Sequence, residues 1–217
     1  MAFKKAVRKI AGAFSKKSTK KKSMSTRGLI YLLRHAAINE ARICPNRNIL
    51  LYGRKFLTTY PEQTIAGKKR TKYKVGVGAS LFESPVCISI ELCPTGKNVS
   101  ETGSKMLASA KLGFNPGVVI VVPQGVWRKK RELDRFKTIT GTSWADFLLE
   151  KIESHAKEKG YAEVRIPLPE TLYYYKDPAA LMNNVEDVRV NMRHLFSKVA
   201  LGNGYEKKES YYVKQLK

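Results

Sequence analysis

The segment Gly117-Val118-Val119-Ile120-Val121-Val122 constrains the fold more than any other stretch of the 217-residue chain. After the glycine, every residue is β-branched and apolar, and no polar residue alternates with them. A run of this kind predicts a strand buried on both faces, inside a sheet that other elements cover. Pro123 and Gly125 are read as its end. The chain that follows supplies the cover. Over 143–159, Trp144, Phe147, Leu148, Ile152 and Ala156 fall on one helical face. Ser143 and Asp146 form a pair like a capping box, Lys157 and Lys159 come late, and Gly160 closes the helix. Residues 162–167 read as a strand. Residues 185–200 read as a helix with Val188, Met192, Leu195, Phe196 and Val199 inward. Residues 205–216 read as a last strand or hairpin carrying Tyr212, Val213 and Leu216.

Upstream the signals are more mixed. The spacing predicts a helix over 27–42, ended by Pro45 and Asn46, and a strand over 48–58 with Gly53 as a bulge. A polar loop over 59–70 follows, then strands over 72–78 and 85–93. In the second of these, Val86, Ile88, Ile90 and Leu92 alternate with Cys87, Ser89 and Glu91. A turn-rich loop over 94–103 leads to a short helix over 104–112, capped by Ser104 and stopped by Gly113 and Pro116. A charged stretch over 127–134 precedes a strand over 135–140. The expected fold class is α+β (mixed α/β): a central, mostly antiparallel sheet flanked by helices, with a basic N-terminal arm. Residues 1–27 are expected as the arm and 28–217 as a single domain.

Charge points to the partners. Lys and Arg number 41 against 18 Asp and Glu, a formal net charge of +23. Residues 1–39 hold eleven of the basic residues and no acid, which leaves the remainder basic as well, with 30 against 18. In the arm, Phe3, Ala6, Val7, Ile10 and Phe14 recur at helical spacing. Around them lie Lys4, Lys5, Arg8, Lys9, Lys16 and Lys17, and Lys20, Lys21 and Lys22 continue the run. Two further clusters are Lys68, Lys69, Arg70, Lys72 and Lys74 around Tyr73, and Arg128, Lys129, Lys130 and Arg131 beside Trp127. Cations beside flat rings suit single-stranded nucleic acid, where bases stack and phosphates pair. Nucleic acid or a nucleoprotein assembly is therefore the expected partner, and an anionic membrane surface is the other polyanion that fits the arm. A targeting segment and a helix packed on the body remain open readings of the arm.

Other classes are set aside. No stretch approaches about 18 apolar residues, so no transmembrane helix is expected. Cys44, Cys87 and Cys93 form no CxxC pair and read as buried free thiols in a cytoplasmic or other reducing compartment. His35, His155 and His194 read as surface or half-buried helix residues without a metal-ligand partner, so no metal is expected. Val75-Gly76-Val77-Gly78 lacks the third glycine of a dinucleotide fingerprint, since position 81 is Leu. Cys93-Pro94-Thr95-Gly96-Lys97 lacks the first glycine of a P-loop, since position 91 is Glu.

One turn carries a binding expectation. Thr140-Gly141-Thr142-Ser143 opens the 143–159 helix, and a helix start presents unpaired amides and the positive end of a dipole. Such a turn can cradle a pyrophosphate. An ordinary helix cap uses the same residues.

The run GTSWADFLLEKIESHAKEKGYAEVRI, and the later HLFSKVALGNGYEKKESYYVKQL, resemble the C-terminal half of the GNAT superfamily of N-acetyltransferases. In that family a strand enters a pyrophosphate loop and a helix reading LL-x-x-I-E-x-x-A-K-x-x-G-Y. A strand, a helix reading L-Y-x-K, a Gly-aromatic pair and a final strand come after. Leu148-Leu149, Ile152-Glu153, Ala156-Lys157, Gly160-Tyr161, Leu195-Phe196, Lys198 and Gly204-Tyr205 carry the match over about 80 residues. The resemblance implies acetyl-CoA as cofactor, held by Gly141, Thr142, Ser143, Trp144 and Ala145, and acetyl transfer to an amine. Thr138 stands where the family carries Arg or Gln, and Phe196 stands where it often carries its acid tyrosine. A tyrosine of the 173–175 run is the alternative proton donor.

Overall fold

A computed structural model describes residues 23–35, 45–66, 71–79, 84–94, 105–126, 129–176 and 185–217. The arm through Lys22, the end of the 27–42 helix, Lys68–Arg70, the 94–103 loop from Thr95 onward, and Trp127-Arg128 lie outside the described residues. The protein is mixed α+β, with an eight-stranded sheet that is antiparallel except at one pair.

The first described elements are helix α1 (Thr26–His35) and a helical segment made of α2 (Asn46–Asn48), a π-helical turn (Ile49–Gly53) and α3 (Arg54–Thr59). Strands β1 (Gln63–Ala66), β2 (Thr71–Ala79), β3 (Val86–Pro94), β4 (Lys105–Asn115) and β5 (Val118–Gly125) follow as a meander. Helices α4 (Lys130–Thr140) and α5 (Trp144–Glu158) lead to β6 (Glu163–Pro167). A 3-10 turn (Pro169–Thr171), α6 (Tyr173–Lys176), α7 (Val185–Gly202), β7 (Glu206–Lys207) and β8 (Tyr211–Gln215) complete the order. Across the sheet the strands run β1-β2-β3-β4-β5-β6-β8-β7. The chain thus reaches the far edge with β7 before β8 returns between it and β6.

The central strand is as the sequence requires. Val119 through Val122 are buried, and β5 runs on through Pro123 to Gly125 beside β4. The β4–β5 turn is Pro116-Gly117, with Gly117 at φ +69°, the Pro-Gly order of a tight turn. Residues 143–159, 162–167 and 185–200 also take the expected forms, as α5, β6 and most of α7.

Four expectations are corrected. Residues 48–58 are helical, not a strand, and Gly53 is not a bulge. Ile49, Gly53, Phe56, Leu57 and Tyr60 are buried, a spacing of three to four that belongs to a helix. Gly53 is small because a Cβ there would collide with the ring of Phe114. Of the helix expected over 104–112, Ser104 lies outside the described residues, and 105–112 are not helical but part of β4, which continues through Gly113. Leu107 through Phe114 are buried without a break, so burial on both faces and pairing on both edges override helix-forming residues. Residues 135–140 are not a strand but the second half of α4. Phe136 alone on that helix is fully buried, against Tyr73 and Phe147. The 59–70 loop includes the edge strand β1.

The core lies on one face of the sheet. Tyr73, Val75, Ile88, Ile90, Ala110, Leu112, Phe114, Val119, Val121, Val164 and Ile166 line it. The Asn46–Thr59 segment and α5 meet there, with Phe56 touching Tyr60, Phe114, His155 and Tyr161. Helix α7 joins the same face, where the hydroxyls of Ser197 and Tyr212 lie 2.8 Å apart. On the opposite face Cys87, Ser89, Ser109 and Lys111 are buried polar groups, paired across β3 and β4 as Cys87 with Lys111 and Ser89 with Ser109.

Candidate acyl-CoA site

The turn between α4 and α5 is set by two local devices. Gly141 takes φ +79° and donates its N–H to Lys137 O at 2.8 Å, which ends α4. Ser143 caps α5. Its Oγ accepts the Asp146 N–H at 3.2 Å and donates to Asp146 Oδ2 at 2.6 Å. The expected capping pair is therefore real, but a helix, not a strand, enters the turn.

The turn sits over the end of β5. A Cβ added to Gly125 would lie 3.3 Å from the Trp144 ring, so the first residue of α5 packs on the last residue of that strand. Ala145 is buried, while Thr142, Ser143 and Trp144 are half-buried. Gly141 is exposed and open space surrounds its would-be Cβ, so the turn can be approached from outside. Helix α5 is held below by Phe147, Leu148, Leu149, Ile152 and Ala156, all buried. At about 1.5–3 kcal/mol for each large side chain, that face fixes the helix start against the sheet.

Next to this helix start the sheet opens. Strands β5 and β6 are parallel and pair only at Val118 with Glu163, Val119 with Val164, and Ile120 with Arg165. Beyond that, β5 continues to pair outward with β4 as far as Gly125, and β6 with β8 as far as Pro167. The facing edges from Val121 and Ile166 onward form no ladder with each other. A parallel pair that parts at its carboxyl ends is where ligands enter α/β sheets.

The charges here are mixed. Asp146 is held by Ser143 and also accepts from Asn203 Nδ2 at 2.8 Å, so a carboxylate already occupies the first turn of α5. The backbone of the turn fits an anion, but its side chains contribute no cation, and the Asp146 carboxylate opposes an anion. The Asp146–Asn203 tie was not visible in the sequence, because it joins residues 57 apart across two helices. Lower on α5, Glu153 accepts from Tyr205 Oη at 2.8 Å and Lys214 Nζ at 2.6 Å. Burial, then Glu153, keeps Tyr205 protonated well above the usual tyrosine range. Glu153 and Tyr205 thus hold α5 to the β7–β8 hairpin and are satisfied as they stand.

Phe196 is buried, and its phenyl ring has no proton to give. In the 173–175 run, the Tyr175 ring is covered and the guanidinium carbons of Arg189 and Arg193 stand 5.4 and 5.2 Å from its centre. Its hydroxyl is buried and, like that of Tyr60, has no hydrogen-bond partner among the described residues. Buried polar atoms without a partner are rare and costly.

The basic clusters fare differently. Of the nucleic-acid candidates, Lys4, Lys5, Arg8, Lys9, Lys16, Lys17, Lys20, Lys21, Lys22, Lys68, Lys69, Arg70 and Arg128 lie outside the described residues. Lys72 is exposed, and Lys74 pairs with Glu62 at 3.0 Å. Tyr73 is corrected to a core residue: only 2% exposed, it stands edge-on to Phe136 and presents no face to a base. Lys129 is half-buried, and Lys130 and Arg131 are exposed at the start of α4.

Cys87 is free and buried, and burial pushes its thiol up to about 12. Cys93 is free and half-buried. His155 is buried, not half-exposed, with Nε2 3.0 Å from Phe56 O. Among the described residues no group of three His, Cys, Asp or Glu is placed to hold a metal ion, and no helix is long and apolar enough to cross a membrane. No protein-family model matches the chain, and no curated protein or solved structure matches it either.

Proposed function

We propose that the protein is an acetyltransferase-like, acyl-CoA-dependent protein that binds acetyl-CoA where β5 and β6 part. The single observation that carries this reading is the convergence of the open strand edges with the start of α5, fixed by Trp144 against Gly125. In this reading the pyrophosphate lies on the 141–145 turn, on the amides of Thr142 through Ala145, since the Gly141 N–H is given to Lys137 O. The unpaired edge of β5 offers backbone groups to the amides of a pantetheine arm. When bound, acetyl-CoA would supply the activated thioester; a neutral acceptor amine would attack its carbonyl as the C–S bond breaks, and the proton shed by the nitrogen would replace the one given to the sulfur. The chain's part is to bind and orient, and to give the leaving sulfur its proton. Tyr175, with its buried and unpartnered hydroxyl, is the proton donor proposed in place of Phe196.

Titration calorimetry with acetyl-CoA tests the reading, with pyrophosphate as the anion control. Thr142→Glu places a charge in the turn without straining Gly141. Saturable acetyl-CoA binding that the variant weakens at least tenfold supports the site. No binding at millimolar concentration, or binding equal in both proteins and removed by moderate salt, sinks it. Tyr175→Phe should keep the binding and slow acetyl transfer to an amine panel.

A second reading is a catalytically inert nucleic-acid-binding protein, or a component of a nucleoprotein particle. It rests on the +23 charge and on exposed Lys130 and Arg131. Binding of RNA or DNA oligonucleotides falling steeply with salt supports it. An affinity that salt leaves unchanged overturns it.

A further inference from the structure

The exposed apolar residues are not scattered. Among the described residues seven large hydrophobics are exposed, and five of them are Ile30, Tyr31, Leu50, Leu51 and Tyr52. They lie on α1 and on the π-helical turn, and α1 packs against α3, which continues directly from that turn. Tyr31 and Leu51 are the most exposed, at 66% and 59%. The turn's inner side holds Ile49 and Gly53 against β4, and the backbone of Tyr52 is tied down by the Tyr161 hydroxyl. The wider π turn therefore projects Leu50-Leu51-Tyr52 outward from a fixed base.

The rim of this projection is cationic. Arg47, Arg54 and Lys55 are exposed three to four residues from Leu50 and Leu51, so they share the helix surface with them. Neither residues 23–35 nor residues 45–61 contain an acid. Three partners can be compared on these terms. A nucleic acid gains from the cations but nothing from two leucines. A second copy of the chain would bring Arg47, Arg54 and Lys55 against their own equivalents. An anionic lipid surface takes both parts at once, leucines into the acyl boundary, tyrosines at the headgroup level and cations on the phosphates.

We infer that the π-helical turn and α1 form a docking surface for anionic membranes, with Leu50 and Leu51 as the inserted residues. This goes beyond the acyl-CoA reading and does not depend on it. The basic residues within 4–22 also attract anionic lipid by charge, and the test must separate that from apolar insertion.

The experiment is co-sedimentation of the full chain with phosphatidylcholine vesicles, with and without about 30% phosphatidylserine, at physiological salt. Leu50→Ser/Leu51→Ser removes apolar surface and changes no charge. Val190→Ser/Leu201→Ser removes the other two exposed hydrophobics on α7 as a control. All four positions are solvent-exposed, and circular dichroism checks that both variants fold. The expected result is binding to the anionic vesicles only, reduced about tenfold or more by Leu50→Ser/Leu51→Ser and unchanged in the control. Equal binding by wild type and Leu50→Ser/Leu51→Ser would assign the contact to basic charge and overturn the proposal. So would no binding by the wild type. A wild-type dimer by light scattering that Leu50→Ser/Leu51→Ser converts to monomer would make the surface a self-interface, and would overturn it as well.

Discussion

Strand β4 and helix α5 draw on similar residues and form different elements. Both hold leucine, alanine, serine and lysine, and β4 contains no isoleucine, valine or threonine. The difference lies in what surrounds them. Helix α5 has one buried face, exposed charges at Glu150, Lys157 and Glu158, and its own cap at Ser143. Strand β4 is paired along both edges and buried from Leu107 to Phe114. Local preference amounts to less than about 1 kcal/mol per residue, so it prevails only where the surroundings leave a choice. An element with a wet face keeps its own periodicity, whereas one in the middle of a sheet takes the form its neighbours impose.

The largest test of that contrast lies where the two regions meet. Phe56 is fully buried and touches Phe114 of β4 and His155 of α5. Phe56→Ala should cost about 3–5 kcal/mol, read from the midpoint of urea unfolding. A loss under about 1 kcal/mol would mean that the Asn46–Thr59 segment does not pack as described.

Gly53→Ala sharpens the same point through its sign. At an ordinary interior helix position, replacing glycine by alanine gains about 0.5–1 kcal/mol. Here the added Cβ meets the ring of Phe114, and overpacking of a core costs about 1–3 kcal/mol. Destabilisation in thermal unfolding is expected, and a gain would place the glycine away from β4.

The same contrast explains what could be read from the chain alone. Val118–Val122, the Ser143 cap and helices α5 and α7 were legible, since each carries its signal within a few residues, whereas α6 lies in a stretch that reads as a Pro- and Tyr-rich loop. Residues 48–58 look like a strand in sequence because Leu50, Leu51 and Tyr52 are apolar yet exposed, and they fill in the gap between Ile49 and Gly53. Positions 49, 53, 56, 57 and 60, the buried ones, carry the helical spacing. The start of α4 is masked by its charges, with one buried residue, Phe136, in eleven. For the candidate site, the Gly141–Ala145 turn was visible as a helix start. The parting of β5 from β6 was not, since a register is a relation between strands far apart in sequence. Tyr73 was drawn into the nucleic-acid set by its lysine neighbours. Alternation places those lysines on one face of β2 and the ring on the other.

Ser143→Ala tests the cap that belongs to α5 itself. It removes the acceptor of the Asp146 N–H and the donor to Asp146 Oδ2. A loss of about 1 kcal/mol is expected in chemical denaturation. No loss would show that Asn203, the other partner of Asp146, suffices to hold the helix start.

The smallest effect concerns the sheet on the far side of the parting strands. Glu163 of β6 accepts from Gln215 Nε2 at 2.7 Å and from Arg165. Burial pushes its carboxyl up, but the hydrogen bonds from Arg165 and Gln215 and the charges of Arg165 and Lys208 outweigh it, and the net direction is down. A carboxylate held below its unfolded value stabilises the fold above that value, about pH 4.3, and loses the contribution as pH falls through the folded one. Wild-type stability should therefore fall on acidification below about pH 4.5 more steeply than that of Glu163→Gln. The two curves should run parallel above pH 6, where Glu163 is ionised in both the folded and unfolded chain. Urea midpoints measured from pH 3 to 7 give the comparison. If the curves stay parallel throughout, Glu163 takes no net help from Arg165 and Gln215, and the β6–β8 pair owes its place to Val164, Ile166 and Tyr212 alone.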